Sequence, residues 1–497
     1  MKIKGVTPRA TVYVSDRLLV PAAKLEESLH LLRKVGEGKG WDVVVDDDFK
    51  PWELTIVNPR DPSQQITLGR ARVLIEVFEG RAASAPDAWV LLQLARAVDR
   101  DAAQGVGLDH GVFTSAPGFD PNPHFDPNPH FDPNPHFDPN PHFDPNPHFD
   151  PNTVPLRSDG RNPVNYVGPR PCRRSDDELP GLRPVVAILD SGCDTTHPWL
   201  NGVVDESVQM EGPIGWTDPN TDPEVHGDIA GPLDGMLDTY SGHGTFIAGL
   251  IHQACPDADI LSWRLVSAEG PVAESDWERA IAQVVKLVQA YRAGDPSGHR
   301  IDVLSLSMGY YHETAEDTDA VETARLMLGA LGAMGVTVVV SAGNDATARP
   351  QFPAALAPWQ VDPVPPLALP VRSDVLPLVS VGALNPNGTD AIFSNTGPWV
   401  RAWAPGVALL STLPTWNGGY LPVARVTYQG RTREALDPDN FSAGFGVWSG
   451  TSFAAPLLAG RIARALLQSM PATEAEVRRT AVQRGWSAIE ANSELRA

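Results

Sequence analysis

The sequence predicts an α/β fold: a parallel sheet with helices on both faces, preceded by a small α+β N-terminal domain and a Pro-rich repeat linker. Three observations carry that expectation. From about residue 182 to 485, apolar strand-like runs alternate with helical patterns. Those runs are nearly continuous in apolar residues, as strands covered on both faces are. A proline-rich six-residue repeat divides them from a first segment of different texture.

The first segment covers residues 1–105. Ala10–Ser15 and Trp41–Val45 are rich in Val, Tyr and Thr and read as strands. Between them Leu25, Leu29 and Leu32 share one helical face, and Gly36 is placed to stop that helix. Leu54–Val57 and Val73–Phe78 are further strands, and Leu91, Leu94, Ala95 and Val98 form a second helical stripe. The expected unit is a sheet with two helices on one face.

Residues 106–180 are expected to be a linker. Within it Phe-Asp-Pro-Asn-Pro-His occurs five times from Phe119 to His148, and the partial copy Phe149–Asn152 completes the repeat at 119–152. Two prolines in six residues remove backbone donors and bar both helix and central strand. The expectation is a disordered, polyproline-like spacer. Its histidines also allow metal capture, and its phenylalanine edge a repeat-reading protein partner.

Residues 181–497 are expected to form the main domain. Val185–Leu189, Ile260–Val266, Val303–Ser307, Val336–Val340 and Leu378–Val381 read as strands, with helices over Ser275–Tyr291 and Ala320–Met334 between them. This βαβ order gives a parallel sheet with right-handed crossovers.

Composition narrows the function classes. The 497-residue chain is 42% hydrophobic, enough for a sizeable core, and carries a formal net charge of −22. That charge argues against nucleic acid and against an anionic membrane surface, both of which need clustered Lys and Arg. Three cysteines make no disulfide framework. No apolar run follows the N-terminal lysines, and Arg461 and Arg464 break the stretch Phe453–Gln468, so neither a secretory signal nor a membrane span is expected and the cytoplasm is the expected location.

Three motifs carry chemistry. Val-Ala-Ile-Leu-Asp190-Ser-Gly places a carboxylate at the end of a buried strand. Ser-Gly-His243-Gly-Thr opens an apolar helix, and Ser-Gly-Thr-Ser452-Phe-Ala-Ala-Pro places a serine at a helix N-terminus. Singly, these read equally well as a turn aspartate, a structural histidine and an N-cap serine. Jointly, in the order Asp, His, Ser, they supply an orienting carboxylate, a base titrating near neutrality and a hydroxyl nucleophile.

Residues 182–485 resemble the subtilase family of serine peptidases in all three motifs. The resemblance implies a subtilisin-like fold and a serine endopeptidase that cuts extended polypeptide and requires no cofactor. Ser452 would be the nucleophile, His243 the general base and Asp190 its orienting carboxylate. Val-Val-Val-Ser-Ala-Gly-Asn344 matches the element that supplies an oxyanion-hole amide, with the Ser452 N–H as second donor. Ser307, Met308 and Gly309 match the segment that pairs with substrate, and Glu269-Gly270-Pro271 is similar to the opposite rim. Gln351 falls either at the pocket floor or on the surface. Rival readings are an esterase or ligase on the same residues, and a dormant or silent binding protein of this fold held by its N-terminal region.

Departures from the family pattern are expected to be structural. Cys193 stands where an aliphatic residue is usual and reads as a small buried hydrophobe, with redox control as the alternative. The loop between Asp190 and His243 carries Asp218, Asp222, Glu224, Asp228, Asp234 and Asp238. A solvated loop and a structural calcium site both fit it, though no EF-hand spacing is present. No other metal site is expected. Insertions at 355–376 and 413–447, with Trp359, Trp416 and Tyr420, are placed to shape a cleft. The N-terminal segment is either a cleaved prodomain or a recognition domain for a protein partner or activator.

Overall fold

The structure, a computed structural model, describes residues 8–58, 61–79, 84–114, 161–231, 233, 235–268, 270–314, 321–416, 425–434, 437 and 439–492. The hexapeptide repeat, Asp234, Glu269 and Tyr420 lie outside the described residues.

The N-terminal unit contains β1 (Tyr13–Pro21), α1 (Leu25–Glu37), β2 (Trp41–Val45), β3 (Trp52–Asn58), β4 (Asp61–Val77), α2 (Ala88–Val98) and β5 (Gly107–Thr114). Its strands pair antiparallel, with β4 against β1, β2 and β3, and β5 against β1. The first strand runs further than Ala10–Ser15 because Leu18, Leu19 and Val20 are buried in the sheet. Helix α1 passes Gly36 by one residue. Gly36 packs inside the last turn, where a Cβ would sit 3.2 Å from the Trp41 carbonyl.

One core of this unit joins Leu18, Val20, Val43 and Val73 to Leu31, Leu32, Leu91 and Leu92 of the two helices. The other sheet face turns Phe49, Trp52, Leu54 and Ile56 into the core of the larger unit. Burying side chains of this size contributes roughly 1.5–3 kcal/mol each, before ordering costs.

The larger unit begins earlier than residue 181, and the N-terminal sheet ends later than residue 105. Strand β6 (Asn162–Pro163) already pairs with the main body, and β5 carries the first sheet to Thr114. Strand β5 was obscured by Gly107, Asp109 and Gly111, which dilute its β-forming residues.

The main sheet uses β7 (Val185–Asp190), β8 (Val204–Asp205), β9 (Asp259–Arg264), β11 (Val303–Leu306), β13 (Thr337–Ser341), β14 (Val379–Leu384) and β15 (Ala402–Pro405). Its order is β15-β14-β13-β11-β7-β9-β8, with every pairing parallel. Around it lie α3 (His243–Ala254), β10 (Val272–Ala273), α4 (Glu274–Ala293), β12 (Met308–Gly309) and α5 (Glu322–Ala333). They are followed by β16 (Leu409–Thr412), β17 (Arg425–Tyr428), β18 (Arg431–Glu434), β19 (Phe445–Trp448), α6 (Thr451–Leu467) and α7 (Glu474–Glu490).

All of β7 is buried, which explains its unbroken apolar run. From β7 the chain passes to β9 on one side and then to β11 on the other. The strand order therefore reverses at β7, and the crevice beyond the carboxyl ends of its strands is where open α/β sheets place their sites. No helix among the described residues is long and apolar enough to cross a membrane.

Candidate active site

The end of β7 delivers Asp190 into that crevice. Helix α3 starts at His243 after Gly242, whose φ of +81° and crowding by Leu413 and Trp416 suit no other residue type. Gly244 lies against the β7 turn so closely that a Cβ there would be 2.0 Å from the Gly192 carbonyl. This contact sets His243 against Asp190: His243 Nδ1 lies 2.6 Å from Asp190 Oδ1. Asp190 Oδ1 also accepts from the Ser191 N–H at 2.8 Å. Trp448 stands edge-on to the imidazole at 5.5 Å between centroids, and Phe453 lies 5.1 Å from it.

Helices α3 and α6 pack together, which brings Ser452 into the same crevice. Ser452 is the second residue of α6, so its N–H belongs to the set a helix ladder leaves without internal acceptors. Its hydroxyl donates to the Ser307 carbonyl at 3.2 Å and is turned from His243 Nε2, which has no hydrogen-bond partner among the described residues. Apo sites of this kind often tighten only around substrate. Asn344 Oδ1 accepts from both the N–H and the hydroxyl of Thr451 at 2.9 Å. The amide is thereby tied to the residue preceding Ser452.

The residues expected to meet substrate face a strand of the chain itself. Met308 and Gly309 of β12 pair antiparallel with Thr114 and Phe113 of β5. On the opposite rim Val272 and Ala273 pair with Val112 and Gly111. Gly270 stands two residues before that ladder, in a turn in which its N–H donates to Ser267 Oγ at 3.0 Å. Gln351 is buried against Gly309 and Gly343 and is not a surface residue.

The middle of β5 and its neighbour β4 are held to the larger unit by buried polar contacts. His110 bridges Glu274 Oε2 at 2.6 Å and Glu313 Oε2 at 2.8 Å. Burial alone disfavours the charged ring, but Glu274 and Glu313 outweigh it and raise His110 to about 10. Against the same opposing effect of burial, His110 and His312 hold Glu313 down at about 2. The Asp109 carboxylate accepts from Ser275 N and Oγ, both at 2.9 Å, in the first turn of α4. Arg70 pairs with Glu278 at 3.3 Å.

The acidic loop is partly interior. Glu224 and Asp238 are buried, and Asp238 accepts from the N–H groups of Ile229 and Ala230. Buried Arg161 donates to the carbonyls of Ser241, Leu237 and Asp238, which fixes the approach to His243. Cys193 is buried, and burial followed by the nearby Glu224 and Glu206 pushes its thiol well up. His110, Glu313 and His312 form the one group of histidine and acidic side chains among the described residues with donor atoms close enough to hold a metal ion. Neither Arg161 nor His110 belongs to a recognisable motif. A buried cation in a linker-like stretch gives no sequence signal.

The chain belongs to the subtilase family, whose model matches residues 181–487. Among named relatives, it is 27% identical over 250 residues to the major intracellular serine protease of Bacillus subtilis (strain 168), covering 48% of this chain and 62% of that protein. It is 27% identical over 288 residues to the intracellular serine protease of Paenibacillus polymyxa, covering 56% and 65%. The chain thus spans under two thirds of the length of both relatives. Among solved structures, fervidolysin from Fervidobacterium pennivorans, a keratinolytic enzyme related to subtilisin, is 18% identical. That match has a TM-score of 0.45 and covers 95% of this chain and 58% of that one.

Proposed function

We propose that this protein is a serine endopeptidase and that its N-terminal unit occupies the substrate groove until displaced. The observation that carries the first part is the 2.6 Å bond between His243 Nδ1 and Asp190, placed beside Ser452 at the start of α6. In the reaction, Ser452 Oγ attacks the scissile carbonyl while His243 Nε2 takes its proton. Asp190 holds the tautomer and stabilises the imidazolium. The Ser452 N–H and the Asn344 amide receive the oxyanion. His243 then protonates the departing amine, and water, activated by the same ring, hydrolyses the acyl-enzyme.

The ladder from β10 through β5 to β12 supports both parts of the reading. It is the arrangement expected of a groove that binds extended polypeptide, here filled by the chain's own residues Gly111–Thr114. It favours an inhibitory role for the N-terminal unit over recognition of an outside partner. The names of the two relatives support action inside the cell.

The test is a fluorophosphonate probe on the full chain. Labelling of wild type but not of Ser452→Ala is expected. Folded wild type that never labels, even after peptide hydrolysis is sought with the N-terminal unit displaced, supports the silent binding protein instead.

A further inference from the structure

Glu224 takes no part in the chemistry above, yet one hydroxyl separates it from the triad carboxylate. It is 3% exposed and comes from the long loop between β7 and α3. Its Oε1 lies 2.5 Å from Ser191 Oγ and 3.2 Å from Gly244 N, and its Oε2 lies 2.5 Å from Thr245 Oγ1. Ser191 Oγ is also 3.2 Å from Asp190 Oδ1, the oxygen that faces His243.

Ser191 has a single hydroxyl proton. When Glu224 is ionised, that proton goes to Glu224, and Asp190 Oδ1 keeps only the donors from His243 and the Ser191 backbone. When Glu224 is protonated, Glu224 donates to Ser191 Oγ, and the serine hydroxyl turns to Asp190. The Gly244 N–H, 2.8 Å from Ser191 Oγ, holds that oxygen in place in both arrangements.

We propose that Glu224 is a positioning residue for the Asp190–His243 pair: its proton decides whether Ser191 donates to Glu224 or to Asp190, and thereby how strongly Asp190 supports His243 as a base. The kinetic consequence rests on the peptidase reading; the hydrogen-bond switch does not. Losing the Glu224 proton withdraws a donor from Asp190 and adds a second negative charge beside it. Both changes favour the imidazolium and strengthen the base.

The surroundings let this proton titrate in a useful range. Burial raises Glu224 to about 8, opposed by its bonds from Ser191 and Thr245 and aided by Asp222 and Asp190. Across Gly192 stand Glu206, itself raised to about 7, and Arg264, which faces Asp222 at 3.6 Å. Cys193 and Asp194 complete the charged or titratable neighbours on the β7 turn.

The test compares full-length wild type with Glu224→Gln, whose amide donates to Ser191 and never ionises. Two readouts are followed with pH: the rate at which a small fluorophosphonate labels Ser452, and the low-field proton resonance of His243 Nδ1–H. Wild type is expected to show a second rise in labelling near pH 8 and a resonance that moves over the same window. The variant should lose both and label about 3- to 10-fold more slowly at alkaline pH. Superimposable profiles with a resonance that moves alike in both proteins overturn the proposal. If Glu224→Gln does not fold, Ser191→Ala decides: it should lose most of the second rise, and a wild-type rise in that variant overturns the switch. If wild type labels at no pH, even with the N-terminal unit displaced, the peptidase reading fails, and the Nδ1–H titration alone decides the role of Glu224.

Discussion

His110 and Glu274 meet at 2.6 Å across the seam between the N-terminal sheet and the larger unit, both buried. Glu313 closes on the other ring nitrogen, so the imidazolium joins helix α4 to the segment beyond β12. Tyr310, which donates to Glu274 at 2.5 Å and stacks on His110 at 4.9 Å, and His312, whose ring is tilted against His110 at 5.0 Å, complete the cluster. One residue of β5 thus fastens it to both walls of the groove.

Replacing His110 by Ala leaves Glu274 and Glu313 facing each other without the cation. Removing one partner of a buried ion pair costs about 3–5 kcal/mol. The expected outcome is a lower melting temperature together with faster release of the N-terminal unit, followed by hydrogen exchange in β5. An unchanged melting curve and unchanged exchange would show that the charge cluster contributes nothing to the seam.

The pH dependence of stability follows from signs. His110 holds its proton up to about 10, so its contribution is full below about 6.5 and fades as pH rises through 10. Burial raises several acids, among them Asp109 to about 6, Glu206 to about 7, and Glu224 and Glu278 to about 8, with Asp238 and Asp302 moved in the same direction. Each binds its proton more tightly folded than unfolded, so each loses stability for the fold as pH rises to its value. Glu313, held at about 2, acts oppositely and withdraws its contribution as pH falls below about 4.5. The melting temperature of the full chain should therefore peak in the mildly acidic range and decline steadily to pH 10. A flat profile from pH 5 to 10 contradicts this.

Gly244→Ala tests how the base is set. Its Cβ would fall 2.0 Å from the Gly192 carbonyl, a contact between two backbones with no flexible side chain to yield. Overpacking of this kind costs about 1–3 kcal/mol. Displacement of α3 from the β7 turn should also slow fluorophosphonate labelling more than Gly294→Ala does, a control at a strained glycine outside the site.

Clipping the folded chain between residues 115 and 160 with an added protease tests the plug. While the connection is intact, β5 is held near the groove at high effective concentration. After clipping, inhibition of peptide hydrolysis should become dependent on protein concentration and be relieved by dilution. Relief by clipping at every concentration would mean that the connection and not β5 restrains the enzyme.

The convergence of the candidate site was legible because close packing constrains local sequence. Asp190, His243 and Ser452 each stand among glycines and small residues that close packing demands, and the continuous apolar runs of β7, β11 and β13 reveal a buried parallel sheet. The pairing of β5 was not legible in the same way. Strand β5 is completed by partners some 160 to 200 positions away, and its Gly111 is required by Pro271, where a Cβ would lie 3.1 Å off. The interior fate of Glu224 was likewise hidden, because an acidic loop reads as solvated until Ser191, Gly244 and Thr245 converge on one of its carboxylates.

Asp109 supplies the carboxylate that receives the first-turn donors of α4, the helix that follows rim strand β10 directly. That helix end is finished by a visitor. When β5 leaves, α4 loses the acceptor for its first turn and both rims lose their neighbour. Under the proposed release, a polypeptide taking its place would have to mend what the departing strand undoes. Sequences offering β-forming residues for the ladder and an acidic side chain for the start of α4 would then exchange with β5 most readily, and the resident strand would be the template for guests of the proposed groove.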